Sequence, residues 1–148
     1  MVEYKKSSGV LVFNDDGELA LQLRAAHDDS YPSHWDFSAG GGIDAGEDEK
    51  LSAERELREE LGIEARVEFI TEEHYKYQAL DPSVSREIDL FIYRTQHNGP
   101  FHLDSAEVQK VQFFKLATIQ KMIKSGDKFH PEFVLSWNKG IISRVANG

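Results

Sequence analysis

The chain has 148 residues, a formal net charge of −9 and no cysteine. These values exclude disulfides, cysteine-ligated zinc and thiolate catalysis, and the absence of a basic stripe disfavours a nucleic-acid backbone as partner. No apolar run approaches the roughly 20 residues that span a bilayer. The N-terminus lacks the apolar core of a secretory signal, so we expect a cytoplasmic protein that acts without a membrane. A chain of this length predicts a single domain covering residues 1–148.

Hydrophobic patterning predicts strands in both halves of the chain. The run Ser8–Phe13 is apolar, and residues 18–24 alternate in polarity, so the two segments predict a hairpin around the turn Asn14–Gly17. We expect one or two further strands within residues 64–77, a central strand over residues 87–95 and a short one over residues 111–114.

Three helices are predicted from the same patterning. The first begins near Glu47 and ends at Gly62, which is placed to cap the helix in the left-handed conformation. The second covers residues 118–124. The last begins at Pro131 and continues to about Arg144. Strands on both sides of one central helix, followed by C-terminal helices, predict an α+β fold with a mixed sheet.

Three glutamates crowd one face of the first helix, because Glu56, Glu59 and Glu60 are spaced at i, i+3 and i+4. In isolation such a cluster is most often a solvated surface. A hard divalent cation with oxygen ligands, Mg²⁺ or Mn²⁺, would relieve the repulsion among the three side chains. The glycines just upstream, Gly40–Gly42, bring bare backbone N–H and C=O groups close to any phosphate or metal bound there.

The residues from Gly41 to Ile63 carry a resemblance to a known family. Gly41, Glu47, Arg55–Leu57, Glu59–Glu60 and Gly62–Ile63 match every fixed position of the Nudix box. The chain therefore resembles the Nudix hydrolases, which implies an α/β/α sandwich with a mixed sheet and a loop–helix–loop motif.

The resemblance also implies an activity and a set of roles. Enzymes of this family use Mg²⁺ or Mn²⁺ to cleave a pyrophosphate bond, usually in a nucleoside diphosphate linked to another group, by attack of water. By position, Glu56, Glu59 and Glu60 are the expected metal ligands, with Glu47 and a backbone carbonyl at Gly41 assisting. Arg55 is expected to orient the glutamates. The resemblance leaves a homodimer open.

The loop before the box adds a second similarity. The run Trp35–Gly41, read as W-D-x-S-x-x-G, resembles the branch that contains isopentenyl-diphosphate isomerase. Those isomerases carry a catalytic cysteine at the position that Gly40 occupies here. Because the chain has no cysteine, we expect a hydrolase on this branch. A non-catalytic diphosphate-binding module and an isomerase are the alternatives.

Candidates outside the box complete the predicted site. Glu87 and Glu107 are each candidates for the general base, with a surface position as the alternative for Glu87. Arg24 points either at a substrate phosphate or into solvent. Trp35 is a candidate for stacking on a flat group, although core packing is the commoner fate of such rings. The substrate predicted is a small-molecule diphosphate.

Overall fold

The computed structural model describes all 148 residues as one mixed sheet covered by helices on both faces. The strands are β1 (Val2–Phe13), β2 (Leu19–Arg24), β3 (Trp35–Asp36), β4 (Ala39–Gly42), β5 (Glu68–Gln78), β6 (Ser85–Gln96) and β7 (Val108–Phe114). The helices are α1 (Glu49–Leu61), α2 (Leu116–Lys124), α3 (Pro131–Asn138) and α4 (Ile141–Asn147).

The sheet is built around one parallel pair of long strands. β1 and β6 run parallel over their whole length, from Val2 opposite Ser85 to Phe13 opposite Gln96. The main strand order is β3-β2-β1-β6-β5, with β4 also paired to β1 and β7 also paired to β2. All pairings other than β1 with β6 are antiparallel. The mixed sheet and the central position of β6 are as predicted.

Two separate apolar cores attach the helices to the sheet. On one face, Ala53, Leu57 and Leu61 of α1 pack on Val10 and Val12 of β1. The opposite core contains residues of α2, α3 and α4, among them Ile119, Phe133 and Ile142. Because successive β1 residues point to opposite faces, one strand supplies both cores. The α/β/α sandwich expected from the family resemblance is confirmed.

Several boundaries differ from the prediction. β1 begins at Val2, not near Ser8, because its polar first half pairs with β6 and needs no apolar pattern. The predicted hairpin is reduced to one register pair, Phe13 with Leu19, and β2 pairs along its length with β7 instead. The predicted C-terminal helix is two helices, since Gly140 interrupts it at φ 77°.

Helix α1 begins two residues later than predicted and ends where the sequence indicated. The side chain of Asp48 caps its N-terminus by accepting a hydrogen bond from the backbone N–H of Leu51 at 2.9 Å. Gly62 ends it at φ 66°, ψ 27°, and donates its N–H to the carbonyl of Arg58. None of the helices is both long and apolar enough for a transmembrane segment.

The first prediction concerns Gly62. A Cβ at this position would lie 2.6 Å from the backbone oxygen of His102, in addition to the cost of the left-handed conformation. We expect Gly62→Ala to lower the free energy of unfolding by at least about 2 kcal/mol, measured by chemical denaturation. Gly17 is the matched control: its φ is 75°, but a Cβ there has no neighbour within 4 Å. Gly17→Ala is expected to cost only about 1 kcal/mol. Equal losses for the two variants would contradict the steric explanation.

Candidate functional site

A cavity of about 650 Å³ opens where β4 passes beside α1, and most of its lining residues are polar or charged. The α1 side supplies an acidic wall, which we define as Glu56, Glu59, Glu60 and Glu107. The sheet and α3 supply a second group, which we call the α3 wall. The members of the α3 wall are Tyr77, Arg86, His130 and Glu132. Gly40, Gly41 and Gly42 also line the cavity.

The two best-buried members of the acidic wall are Glu56 and Glu60, with exposed fractions of 8% and 6%. Glu60 Oε1 accepts hydrogen bonds from Gln22 Nε2 at 2.8 Å and from the backbone N–H of Gly40 at 3.2 Å. Burial raises the pKa of both carboxyls, and the adjacent Glu56 raises the pKa of Glu60 further. The structure thus places two carboxyls side by side where burial and mutual repulsion oppose the ionisation of both.

The glycines of β4 make room for this pair of carboxylates. A Cβ on Gly41 would lie 2.8 Å from Glu56 Oε1 and 2.9 Å from its carboxyl carbon. A Cβ on Gly40 would collide with the backbone oxygen of Ser8 on the neighbouring strand β1. A Cβ on Gly42 would meet nothing within 4 Å. Only the first two glycines are therefore required by packing.

Arg55 connects three of the glutamates. Its Nη1 donates to both carboxylate oxygens of Glu59 at 3.2 Å. Its Nη2 lies 3.3 Å from Glu47 Oε2 and 3.5 Å from Glu56 Oε1. Glu47 itself lies outside the cavity, where its Oε1 accepts from the backbone N–H of Asp44 at 2.7 Å. The positions allow Arg55 to set the orientation of the carboxylates, as expected from the box.

The carboxylate oxygens of the acidic wall are suitable ligands for a hard divalent cation, although the side chains do not converge on one point. No group of three or more His, Asp or Glu side chains stands in a metal-binding arrangement. The carboxylate of Glu59 pairs with Arg55. Glu56 and Glu60 are adjacent and carry only oxygen donors, and Glu56 lies against the space that Gly41 leaves open. These features fit Mg²⁺ or Mn²⁺.

Arg24 lines the cavity, but its charge is already matched. It donates from Nη1 to Asp36 at 2.9 Å and from Nη2 to Asp28 at 2.8 Å. Burial alone would raise the pKa of Asp28. The backbone N–H of Tyr31 and the Arg24 guanidinium together hold that pKa well below its usual value. Arg24 is therefore part of an ion-pair cluster that shapes the cavity wall.

Besides Glu47, two of the predicted site residues lie outside the cavity, and these expectations are corrected. Glu87 is absent from the cavity lining because alternation along β6 turns Arg86 and Ile88 into the cavity and Glu87 away from it. Its Oε1 lies 3.2 Å from Lys76 Nζ. Trp35 is also outside the cavity, with its ring packed edge-on against Phe114 at a centroid distance of 5.3 Å.

The remaining base candidate, Glu107, is at the cavity rim. It lies exposed in the turn before β7, and its backbone oxygen accepts from the N–H of Ala25 at 3.1 Å. Its carboxylate is near enough to Glu56 to raise the pKa of that group, although burial of Glu56 is the larger cause.

The acidic member of the α3 wall, Glu132, was missed at the level of sequence. Glu132 is only 9% exposed, yet it lines the cavity and accepts a hydrogen bond from the Tyr77 hydroxyl at 2.5 Å. One signal was available: Glu132 is a single acidic residue between Phe129 and Phe133, at the start of a helix otherwise suited to burial. Arg86 of β6 gave no comparable signal, because the pairing of its strand was unknown.

The second prediction tests the Asp28–Arg24 ion pair. Because the pKa of Asp28 is depressed in the folded state, the unfolded chain binds more protons in acid, and stability falls as pH drops below the ordinary aspartate value. We expect Asp28→Asn to be less stable than wild type at pH 7 and to lose less further stability between pH 5 and pH 3, as measured by urea denaturation. Asp29→Asn, at an exposed neighbour without an ion pair, should follow the wild-type pH profile. Parallel profiles for wild type and Asp28→Asn would contradict the assignment.

Comparisons with known proteins place this chain in a family. The chain is 33% identical over 106 residues to an uncharacterized Nudix hydrolase of Pseudomonas aeruginosa, covering 72% of this chain and 60% of that protein. It is 30% identical over 132 residues to an uncharacterized Nudix hydrolase of Listeria innocua, covering 86% of this chain and 72% of that protein. An isopentenyl-diphosphate Delta-isomerase of Halobacterium salinarum is 29% identical, covering 66% of this chain and 48% of that protein.

A solved structure supports the fold. The MutT protein from Methanosarcina mazei Go1 superposes with a TM-score of 0.74 at 18% identity, covering 95% of this chain and 91% of that chain. The sequence profile of the NUDIX domain matches residues 3–136, which include both walls of the cavity. Enzymes of this family generally use divalent metal ions such as Mg²⁺ or Mn²⁺. The chain belongs to the NUDIX domain family.

Proposed function

We propose that the protein is a Mg²⁺- or Mn²⁺-dependent hydrolase that cleaves a pyrophosphate bond in an organic diphosphate. The observation that carries this proposal is the buried pair Glu56 and Glu60 beside Gly41, at the mouth of a cavity large enough for a small-molecule diphosphate. Family membership supports hydrolysis as the reaction.

Glu56 and Glu60 would hold the divalent ion, joined by Glu59 and by the carbonyl of Gly41. A bound divalent ion supplies neutralisation of phosphate charge and lowers the pKa of bound water. The protein contributes orientation. Gln22 and the Gly40 N–H fix the carboxylate of Glu60 through the two hydrogen bonds to its Oε1. Arg55 holds the second carboxylate, Glu56, from the opposite side.

Glu107 is the residue proposed to accept the proton of the attacking water. It lies on the same wall as the glutamates of α1 and is exposed to the cavity, so its carboxylate is free to contact a water molecule. The ion pair between Arg55 and Glu59 leaves Glu59 less available for this role.

The isomerase alternative is disfavoured by the same loop. Isomerization of the kind that the resemblance describes needs a cysteine at position 40, and a side chain there would collide with the backbone of Ser8. Similarity to the Halobacterium isomerase therefore supports shared ancestry of the scaffold and not the same reaction. Measurable product formation by the purified protein would exclude the alternative of a non-catalytic binding module.

The third prediction concerns Glu60. We expect Glu60→Gln to lower kcat/KM for diphosphate hydrolysis at least about 100-fold, because it removes one of the carboxylates proposed to hold the divalent ion. Product formation is measured by ion-exchange chromatography over a panel of nucleoside triphosphates, nucleotide sugars, dinucleotides and prenyl diphosphates, with Mg²⁺ or Mn²⁺ and after chelation.

Glu72→Gln is the matched control, since Glu72 is an exposed glutamate of β5 outside the cavity. Glu107→Gln in the same assay tests the proposed base. A folded wild-type protein that binds diphosphates but releases no product from any member of the panel would overturn the hydrolase in favour of the binding module.

The fourth prediction uses the glycines of β4. A methyl group at position 41 would displace the Glu56 carboxylate, whereas one at position 42 meets open space. We expect Gly41→Ala to weaken Mn²⁺ binding at least about 10-fold while Gly42→Ala leaves it close to wild type, measured by isothermal titration calorimetry. Unchanged Mn²⁺ affinity in Gly41→Ala would argue against Glu56 as a ligand.

A further inference from the structure

Glu132 is a buried acceptor that the metal-binding end of the cavity does not use. It lies in the first turn of α3, where its backbone N–H donates to Nδ1 of His130 at 3.2 Å. Its carboxylate takes one side-chain hydrogen bond, from the Tyr77 hydroxyl to Oε2. The second oxygen, Oε1, receives no hydrogen bond from the protein. Since Glu132 lines the cavity, that oxygen is available to a bound molecule.

No cation neutralises this carboxylate directly. Glu132 takes part in none of the ion pairs within 4.0 Å. The guanidinium of Arg86, also on the α3 wall, is placed by other contacts: Nε lies 3.3 Å from Glu3 Oε1, and the group stacks over the Tyr31 ring at 5.6 Å. His130 packs against the same ring at a tilt of 58°, with the centroids 4.4 Å apart.

With no donor from the protein, this carboxylate oxygen depends on water in the cavity, and a ligand that displaces the water must supply a donor to keep the hydrogen bond. Burial also raises the pKa of Glu132. Binding of an apolar ligand would be unfavourable, because it would remove the remaining water from Glu132 and Arg86 and offer neither group a hydrogen-bond partner. Sites built around buried polar groups reject analogues that cannot pair with them.

We infer that Glu132 is a specificity-determining residue that accepts a hydrogen bond from the organic group of the substrate. The cavity then takes diphosphates whose organic end carries N–H or O–H donors, a nucleobase or a sugar, and rejects prenyl diphosphates. This inference rests on the proposed function only in that the acidic wall receives the diphosphate end. It separates this chain in substrate class from the isopentenyl-diphosphate isomerases that it resembles.

The test is equilibrium binding of analogues that cannot be cleaved, measured by calorimetry in Mg²⁺. The probes are the α,β-methylene analogues of ADP, GDP, CDP and UDP, the corresponding ribose 5-diphosphate analogue without a base, the methylene analogue of isopentenyl diphosphate, and methylenediphosphonate. We expect at least one nucleoside analogue to bind about 10-fold or more tightly than the isopentenyl analogue. If the ribose analogue also binds more tightly than the isopentenyl analogue, the sugar hydroxyls supply the hydrogen bond to Glu132. If it does not, the base supplies that hydrogen bond.

Variants at Glu132 complete the experiment. Glu132→Leu should weaken binding of the preferred nucleoside or ribose analogue about 10-fold and leave binding of methylenediphosphonate unchanged. Glu132→Gln keeps the shape of the side chain and an oxygen that can accept from the Tyr77 hydroxyl. It should also bind the preferred nucleoside or ribose analogue more weakly than wild type does. This variant keeps the test valid if Glu132→Leu fails to fold. Glu72→Gln should bind every probe as wild type does.

Four results would overturn the inference. The first two are tight binding of the isopentenyl analogue and nucleoside affinity that is unchanged in both Glu132 variants. The third is an equal loss of affinity for methylenediphosphonate, which would indicate a merely structural role. The fourth is absence of binding by every probe. Because the probes are not cleaved, failure of hydrolysis in the panel assay leaves this test intact, and the two proposals fail separately.

Discussion

Two carboxyl groups buried next to each other are the constraint on which the site depends. Two carboxyls packed side by side repel each other when both are ionised, and burial strengthens that repulsion, which is why the pKa of each is raised. Glu56 and Glu60 are nevertheless fixed in this position, by the two apolar cores that seat α1 and β1 and by hydrogen bonds from Gln22 and Gly40. The sandwich around them is rigid enough to hold an arrangement that an isolated helix would not keep.

The same strands that support this pair also divide the cavity into two chemical ends. β6 directs Arg86 inward and Glu87 outward, and β5 contributes Tyr77 beside α3. The acidic wall is suited to cations and phosphate, whereas the α3 wall offers a buried carboxylate with one free oxygen. Under the two proposals, a substrate would bind in one direction, with its phosphates at α1 and its organic group at α3.

The residues that could be predicted from sequence are those close together along the chain. The glutamates of α1, Arg55 and the cap at Gly62 belong to one local motif, whose spacing alone fixes their relative positions. Glu87 was misassigned because the face of a strand depends on register, which one sequence does not display. Glu132 was missed for a related reason, since its partner Tyr77 lies 55 positions away and the two meet only through tertiary packing.

The parallel pairing of β1 with β6 has a consequence for how the chain folds. Every register pair between these strands joins residues that are roughly 80 positions apart, so closing that loop carries a substantial entropy cost before any contact is gained. Dominance of the central sheet by such distant contacts is typical of slower folding. During synthesis from the N-terminus, β1 has no parallel partner until β6 has left the ribosome. The first half of β1 is polar and contains Lys5, Lys6 and Ser7. Charged and polar residues disfavour pairing of an exposed strand with other chains, so this half helps to protect β1 until β6 is available.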